Sequence, residues 1–215
     1  MKIEIWSDVA CPFCYIGKKR FEQALSSFQH KEEIEVEWKS FQLDPTLPKN
    51  GKVKIHEYMA KQKGLSTSEV NAMFKNVVQM AKAENIEMKM DEVIMANTLT
   101  MHRLIQLAKT NGVGAEAEEQ FFKAYFSGKD FTNDTILLEI SKAIGLDEVE
   151  AKEVIESEKF SEEVAKDVYE ARTIGVRGVP HFVFNDKYVI SGAQHSDTFK
   201  GALEKAYEEW KENPK

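Results

Sequence analysis

The feature that most constrains this chain is a pair of cysteines three positions apart, Cys11-Pro12-Phe13-Cys14, set between a strand pattern and a helix pattern. Lys2 to Trp6 place Ile3 and Ile5 two apart among β-formers, and Ser7-Asp8 with the Cys-Pro step then break the run. Helical spacing follows, with Phe21, Leu25 and Phe28 on one apolar face and Lys18, Lys19 and Arg20 on a basic one. Glu33-Ile34-Glu35-Val36-Glu37-Trp38-Lys39 alternates charged and apolar residues, the period-two pattern of a strand with one buried face. A strand, a helix and a strand returning to one sheet imply a parallel pair with a right-handed crossover.

At that junction the cysteines have a local role, because two cysteines three apart leave no disulfide framework to staple a fold. One helical turn brings their side chains within disulfide reach. Cys11, at the helix start, meets unpaired N–H groups and the positive end of the helix dipole, which favour thiolate, the nucleophilic form. Cys14, one turn deeper, is the expected resolving thiol, which attacks a mixed disulfide once Cys11 has linked to substrate. Pro12 suits the first turn, where its missing N–H costs no hydrogen bond, and Phe13 is a bulky apolar neighbour without charge. Both are counted as substrate contacts beside the nucleophile. A structural zinc site needs about four ligands. With no third cysteine it would draw on His30, His56, His102, His181 and His195, which show no ligand spacing, so no metal is expected.

After Trp38, the segment from Phe41 to Gly51 is rich in turn formers and reads as a junction. From Val53 to Phe160 capped helical patterns dominate. Ser66 and Glu69 match a capping box, helices end near Gly112, Gly128 and Gly145, and Asp147 with Glu150 opens another. Ser161 is the expected N-cap of a helix carrying Val164, Val168 and Tyr169. Two strands then flank the pair Asn185-Asp186, a hairpin signal, and Ser196 starts a last helix with Phe199, Leu203, Ala206, Tyr207 and Trp210 on one stripe. The expected fold is α/β, a four-stranded sheet with helices on it and a helical lobe in mid-chain. Its segments are 1–50, an inserted all-helical domain at 51–160, and 161–215. The length of 215 residues admits one domain with an insertion or two packed lobes.

The formal charge of −7 is spread along helical stretches, which argues against a nucleic-acid partner. No run approaches the roughly 18 apolar residues of a membrane span. The start reaches polar residues too soon for a signal peptide's apolar stretch of about 7 to 15 residues, so the expected compartment is the cytoplasm.

The segment Ser7-Asp8-Val9-Ala10-Cys11-Pro12-Phe13-Cys14-Tyr15-Ile16-Gly17-Lys18-Lys19 resembles the active-site segment of the DsbA family, in particular its FrnE-like branch. Gly178-Val179-Pro180-His181-Phe182 resembles that branch's cis-proline loop. Asn97-Thr98, His102-Arg103-Leu104 and Ala124-Tyr125-Phe126 resemble patches of its helical domain. The resemblance implies a thioredoxin-like fold with an inserted helical domain, Cys11 as nucleophile, Cys14 as resolving thiol and a cis bond at Pro180. It further implies a Val179 backbone that hydrogen-bonds an extended substrate segment. It brings no organic cofactor; glutathione or a thioredoxin-type reductant enters as a possible partner. Two departures stand out. Thioredoxins carry a buried acid six positions before the first cysteine, where this chain has Ile5, and strongly oxidising relatives carry histidine where Phe13 stands.

Other residues have plainer readings. His181, after Pro180, is taken as a candidate substrate contact against the alternative of a structural strand residue. His102-Arg103 reads as a contact between lobe and sheet domain or as a solvated face. The aromatics Phe121, Phe122, Tyr125 and Phe126 and the lobe methionines read as core. Two other functions stay open: a glutathione-dependent transferase or isomerase of the kappa-class type, and a peptide-binding, chaperone-like module.

Overall fold

The structure, a computed structural model, describes residues 1–212; the last three residues of the segment expected at 161–215 lie outside the described residues. Strand β1 (Lys2–Ser7) leads into α1 (Pro12–Ser26) and returns through β2 (Glu35–Ser40). A two-residue strand β3 (Val53–Lys54) precedes α2 (Ile55–Lys63) and α3 (Thr67–Ala83), and β4 (Ile94–Met95) pairs with it. Helices α4 (Leu99–Thr110), α5 (Gly114–Phe126), α6 (Asp134–Ala143) and α7 (Glu148–Glu156) complete the lobe. Helix α8 (Ser161–Thr173), the hairpin β5 (His181–Phe184) and β6 (Tyr188–Ser191), and α9 (Ser196–Glu212) close the chain.

The main sheet runs β2-β1-β5-β6, with β1 and β2 parallel and the other pairs antiparallel. Period-two alternation gives it two faces. Ile3, Ile5, Trp38, Phe182, Phe184 and Ile190 face α1 and α9, where they meet Phe21, Phe199 and Leu203. Trp6 and Val183 face Ala171 and Val176 on the α8 side. Asn185 and Asp186 both have positive φ, 51° and 55°, the left-handed conformation that a two-residue hairpin loop demands of both central residues.

Ser66 and Glu69 form the expected capping box, with Ser66 Oγ accepting from the Glu69 N–H and the Glu69 carboxylate accepting from the Ser66 N–H. Asp147 caps α7 as expected. Ser161 does not cap α8: the N-cap is Phe160, left-handed at φ 67°, and Ser161 Oγ donates to the Glu158 carboxylate instead. The lobe aromatics Phe121, Phe122, Tyr125 and Phe126 are buried core, as are Met88, Met90, Met95 and Met101. That core also takes in Cys11, Cys14, Tyr15 and Ile16 of the first segment.

Lys18 and Arg20, the basic face of α1, are buried. Lys18 pairs with Glu119 of α5 at 2.8 Å and Arg20 with Glu84 after α3 at 2.6 Å, so that face is an interface with the lobe.

Phe182 is fully buried, with ring centroids 5.6 Å from Phe21 and 4.6 Å from Phe199. Phe182→Ala is expected to lower unfolding stability by about 3–5 kcal/mol. Chemical denaturation checks this, and a loss below about 1 kcal/mol would show that α1 and α9 close over the gap.

Candidate active site

Chain geometry puts the cysteines where strand β1 gives way to helix α1. Cys11 is the N-cap of α1 in extended conformation, with Pro12 in the first turn. Its N–H donates to the Asp8 carbonyl at 2.9 Å, and its own carbonyl accepts from Cys14 at 3.0 Å, which closes the first helical turn. Both cysteines are free thiols. Cys11 is 3% exposed and Cys14 is fully buried. Burial, with the adjacent Cys11 sulfur, pushes the Cys14 thiol well above the ordinary range.

Opposite them stands the loop before β5. The Val179-Pro180 peptide is cis, and Cys11 Sγ donates to the Val179 carbonyl oxygen at 3.5 Å. Gly17 makes this approach possible, since a Cβ there would lie 3.0 Å from Pro180 Cγ. Pro12 is half-buried on the rim, and Phe13 is 40% exposed. The structure therefore brings Cys11, Cys14, Val179 and Pro180 together, with Pro12 and Phe13 at the edge. His181 is placed apart from them. It is paired in register with Trp6 on the α8 face, its ring lies edge-on to Trp6, and its Nδ1 is 3.1 Å from Ser191 Oγ. Desolvation lowers its pKa.

Beneath the pair lies a buried polar group that sequence patterns did not single out. Asp8 is 1% exposed. One carboxylate oxygen accepts from the Leu43 N–H at 2.7 Å, and the other from the Ala10 N–H at 3.3 Å, with His102 Nε2 also 3.3 Å away. His102, on α4, is fully buried, so His102-Arg103 makes the lobe contact and not a solvated face. Burial opposes its positive charge, but the neighbouring Asp8 carboxylate, with Glu118 and Asp167 further off, outweighs that and raises its pKa. Its neighbour Arg103 donates to the Val154 and Ser157 carbonyls at the end of α7. Glu118 of α5 is also buried, and desolvation pushes its carboxyl up to about 7 against the opposing pull of His102. His102 Nδ1 and Glu118 Oε2 are buried without hydrogen-bond partners among the described residues. The signal in the sequence was Asp8 itself, an acid in the turn before the cysteines; its partner lies 94 residues away.

Beside Asp8 and Ala10 opens a cavity of about 350 Å³, lined mainly by apolar side chains including Leu43, Leu47, Met59 and Met95. Asn97 pins the loop bordering it, its side-chain amide donating to the Pro45 and Leu47 carbonyls.

A cysteine pair at a helix start, facing a cis-proline loop across a four-stranded sheet, with a helical lobe between β2 and α8, defines a thioredoxin-like protein with a helical insertion. The chain belongs to the family of the DSBA-like thioredoxin domain, which it matches over residues 2–204. It is 35% identical to a probable DsbA oxidoreductase from Streptomyces coelicolor, superposing with a TM-score of 0.94 over 97% of this chain and 91% of that one. It is 29% identical to the uncharacterized protein YwbO of Bacillus subtilis (strain 168), over 94% of each. A 2-hydroxychromene-2-carboxylate isomerase shares the fold over the full length of both chains, at 14% identity and a TM-score of 0.72.

The buried acid and imidazole make stability depend on pH. Glu118 ionises more easily in the unfolded chain, so the stability of its protonated folded form is lost as pH rises from its ordinary 4.5 through about 7. His102, raised in the fold, contributes stability that is full below its ordinary 6.5 and is lost as pH rises through its folded value. The protein is therefore expected to be less stable at pH 8 than at pH 5, and Glu118→Gln to remove about 3 kcal/mol of that difference. Parallel pH curves for the two proteins in denaturant titrations would rule this out.

Proposed function

We propose that this chain is a thiol-disulfide oxidoreductase, exchanging a Cys11-Cys14 disulfide or dithiol with protein or small thiol substrates. The observation that carries the reading is the division of labour in the pair. Cys11 sits at the helix start with its sulfur 3.5 Å from the Val179 oxygen, and Cys14 is sealed one turn deeper. A reduced Cys11 attacks a substrate disulfide, one substrate sulfur leaves, and Cys14 then displaces the second, closing the enzyme disulfide. The oxidised enzyme runs the reverse. Val179, beside the nucleophile, offers its backbone to an extended substrate segment, with Pro12 and Phe13 as the rim contacts. The proposal includes glutathione or a thioredoxin-type protein as redox partner. It also includes a cytoplasmic setting, in keeping with a chain that holds two cysteines and no spare ones for structural disulfides.

Because the fold is shared with an isomerase, the fold does not choose the chemistry; the two cysteines do. The apolar cavity beside Ala10 favours, as a second reading, a glutathione-dependent transferase or isomerase with a small apolar substrate.

Equilibration against a glutathione redox series, followed by thiol trapping and mass measurement, tests the first reading. A reversible two-electron transition is expected, with a midpoint that gives the direction of flow. Cys11→Ser is expected to abolish exchange and Cys14→Ser to accumulate mixed disulfides. Equal turnover in the two variants would refute these roles. A glutathione-dependent activity that survives Cys14→Ser would move the second reading to the front.

A further inference from the structure

The exchange reading leaves its small thiol substrate without a chemical class; this inference supplies one and rests on that reading. The cavity of about 350 Å³ borders Ala10, the half-buried residue directly before Cys11. Taken at water's share of volume, it has room for roughly a dozen non-hydrogen atoms. Leu47 of the loop after β2, Met59 of α2, and Met95 and Ala96 give it apolar walls.

Three charged side chains line the same space, and two of them are already engaged. Asp8 accepts from the Leu43 and Ala10 N–H groups. Asp44 accepts from the Thr46 N–H and hydroxyl and from the Tyr58 hydroxyl at 2.6 Å. Lys63, in the last turn of α2, has no ion pair or hydrogen bond among the described residues. Asp8 is buried and Lys63 exposed, so the depth of the cavity lies beside the cysteine turn and the free cation lies at its mouth. A ligand matched to this layout has an apolar body inside and its anionic group at the mouth, where the charge stays in water.

We propose that the cavity binds the chain of a small dithiol whose apolar tail ends in a carboxylate, the dihydrolipoate class, with its sulfurs at Cys11 and its carboxylate at Lys63. One ligand thiolate attacks Cys11 Sγ of the oxidised enzyme. The Cys11-Cys14 bond breaks, and Cys14 leaves with the electron pair and takes a proton from solvent. The second ligand thiol gives its proton to solvent and attacks the ligand sulfur bound to Cys11, closing a cyclic disulfide and releasing Cys11 as thiolate. Two ligand thiols are oxidised and one enzyme disulfide is reduced.

Reduction of the oxidised protein by excess dihydrolipoate, its neutral amide or dithiothreitol, stopped with acid and read by alkylation and mass, gives a half-saturating concentration for each dithiol. That for dihydrolipoate is expected to be at least about tenfold below that for dithiothreitol, which has no apolar chain. Ala96→Leu and Met59→Trp add bulk to the cavity walls, and each is expected to shrink this ratio to near one. Lys63→Met, which keeps an apolar stem without the charge, is expected to erase an about threefold preference for dihydrolipoate over the amide. If Ala96→Leu does not fold, Met59→Trp, at a half-buried position on α2, decides. Equal half-saturation by dihydrolipoate and dithiothreitol in the unaltered protein overturns the proposal, as does a ratio that survives filling of the cavity. A preference for the acid that survives Lys63→Met overturns the assignment of the carboxylate. If none of the three dithiols reduces the cysteine pair, the exchange reading falls and this inference with it; reduction by all three without discrimination overturns this inference alone.

Discussion

Helix α1 is buried on two sides by two different cores, and the rest of the molecule is arranged around that constraint. Phe21 and Ala24 press on the sheet and α9, while Cys14, Tyr15 and Ile16 belong to the core of the helical lobe. Tyr15 stacks on Phe122 with ring centroids 5.0 Å apart and planes 3° off parallel, and its hydroxyl donates to Glu119. A helix held this way has little freedom to tilt, so the cysteine at its start keeps a set position relative to both halves of the chain. The lobe is therefore one wall of the site, and the first turn of α1 could not keep its surroundings if α5 were removed.

Such a double burial brings charge into the interior. Lys18 and Arg20 enter with their acids, Glu119 and Glu84, already positioned on the lobe. A buried ion is tolerated only when its partner and hydrogen bonds are supplied together. Asp8 follows the same rule with two backbone N–H groups and an imidazole. Glu118 does not, and its carboxyl answers by holding its proton to about 7.

The parts of this arrangement legible in the sequence are those written in local periodicity. Val36 and Trp38 alternate with charges and lie inside; Ser66 and Glu69 cap α3; Asn185-Asp186 turns the hairpin. The CxxC segment and the Pro180 loop marked the two halves of the site. Helix α2 was not singled out, because it is only nine residues long and carries one short apolar set, Ile55 buried with Tyr58 and Met59 half-buried against the lobe core. The pairing of His102 with Asp8 was not legible, since a contact across 94 residues leaves no period in either neighbourhood. The burial of Lys18 and Arg20 was not legible, because their acids Glu119 and Glu84 come from α5 and from the end of α3. Ser161 had the right chemistry for a cap, but the left-handed residue one place earlier took the role.

The meeting of α1 with the Pro180 loop is made at Gly17 by main chain on one side and a proline ring on the other. Neither member has a rotamer to change. A contact between side chains absorbs a small displacement by swinging a torsion angle, whereas this one passes the displacement on undiminished. The gap across which the Cys11 sulfur faces the Val179 oxygen is thus gauged in part by a contact without side-chain freedom, and at that point a shift of the hairpin is passed to the helix.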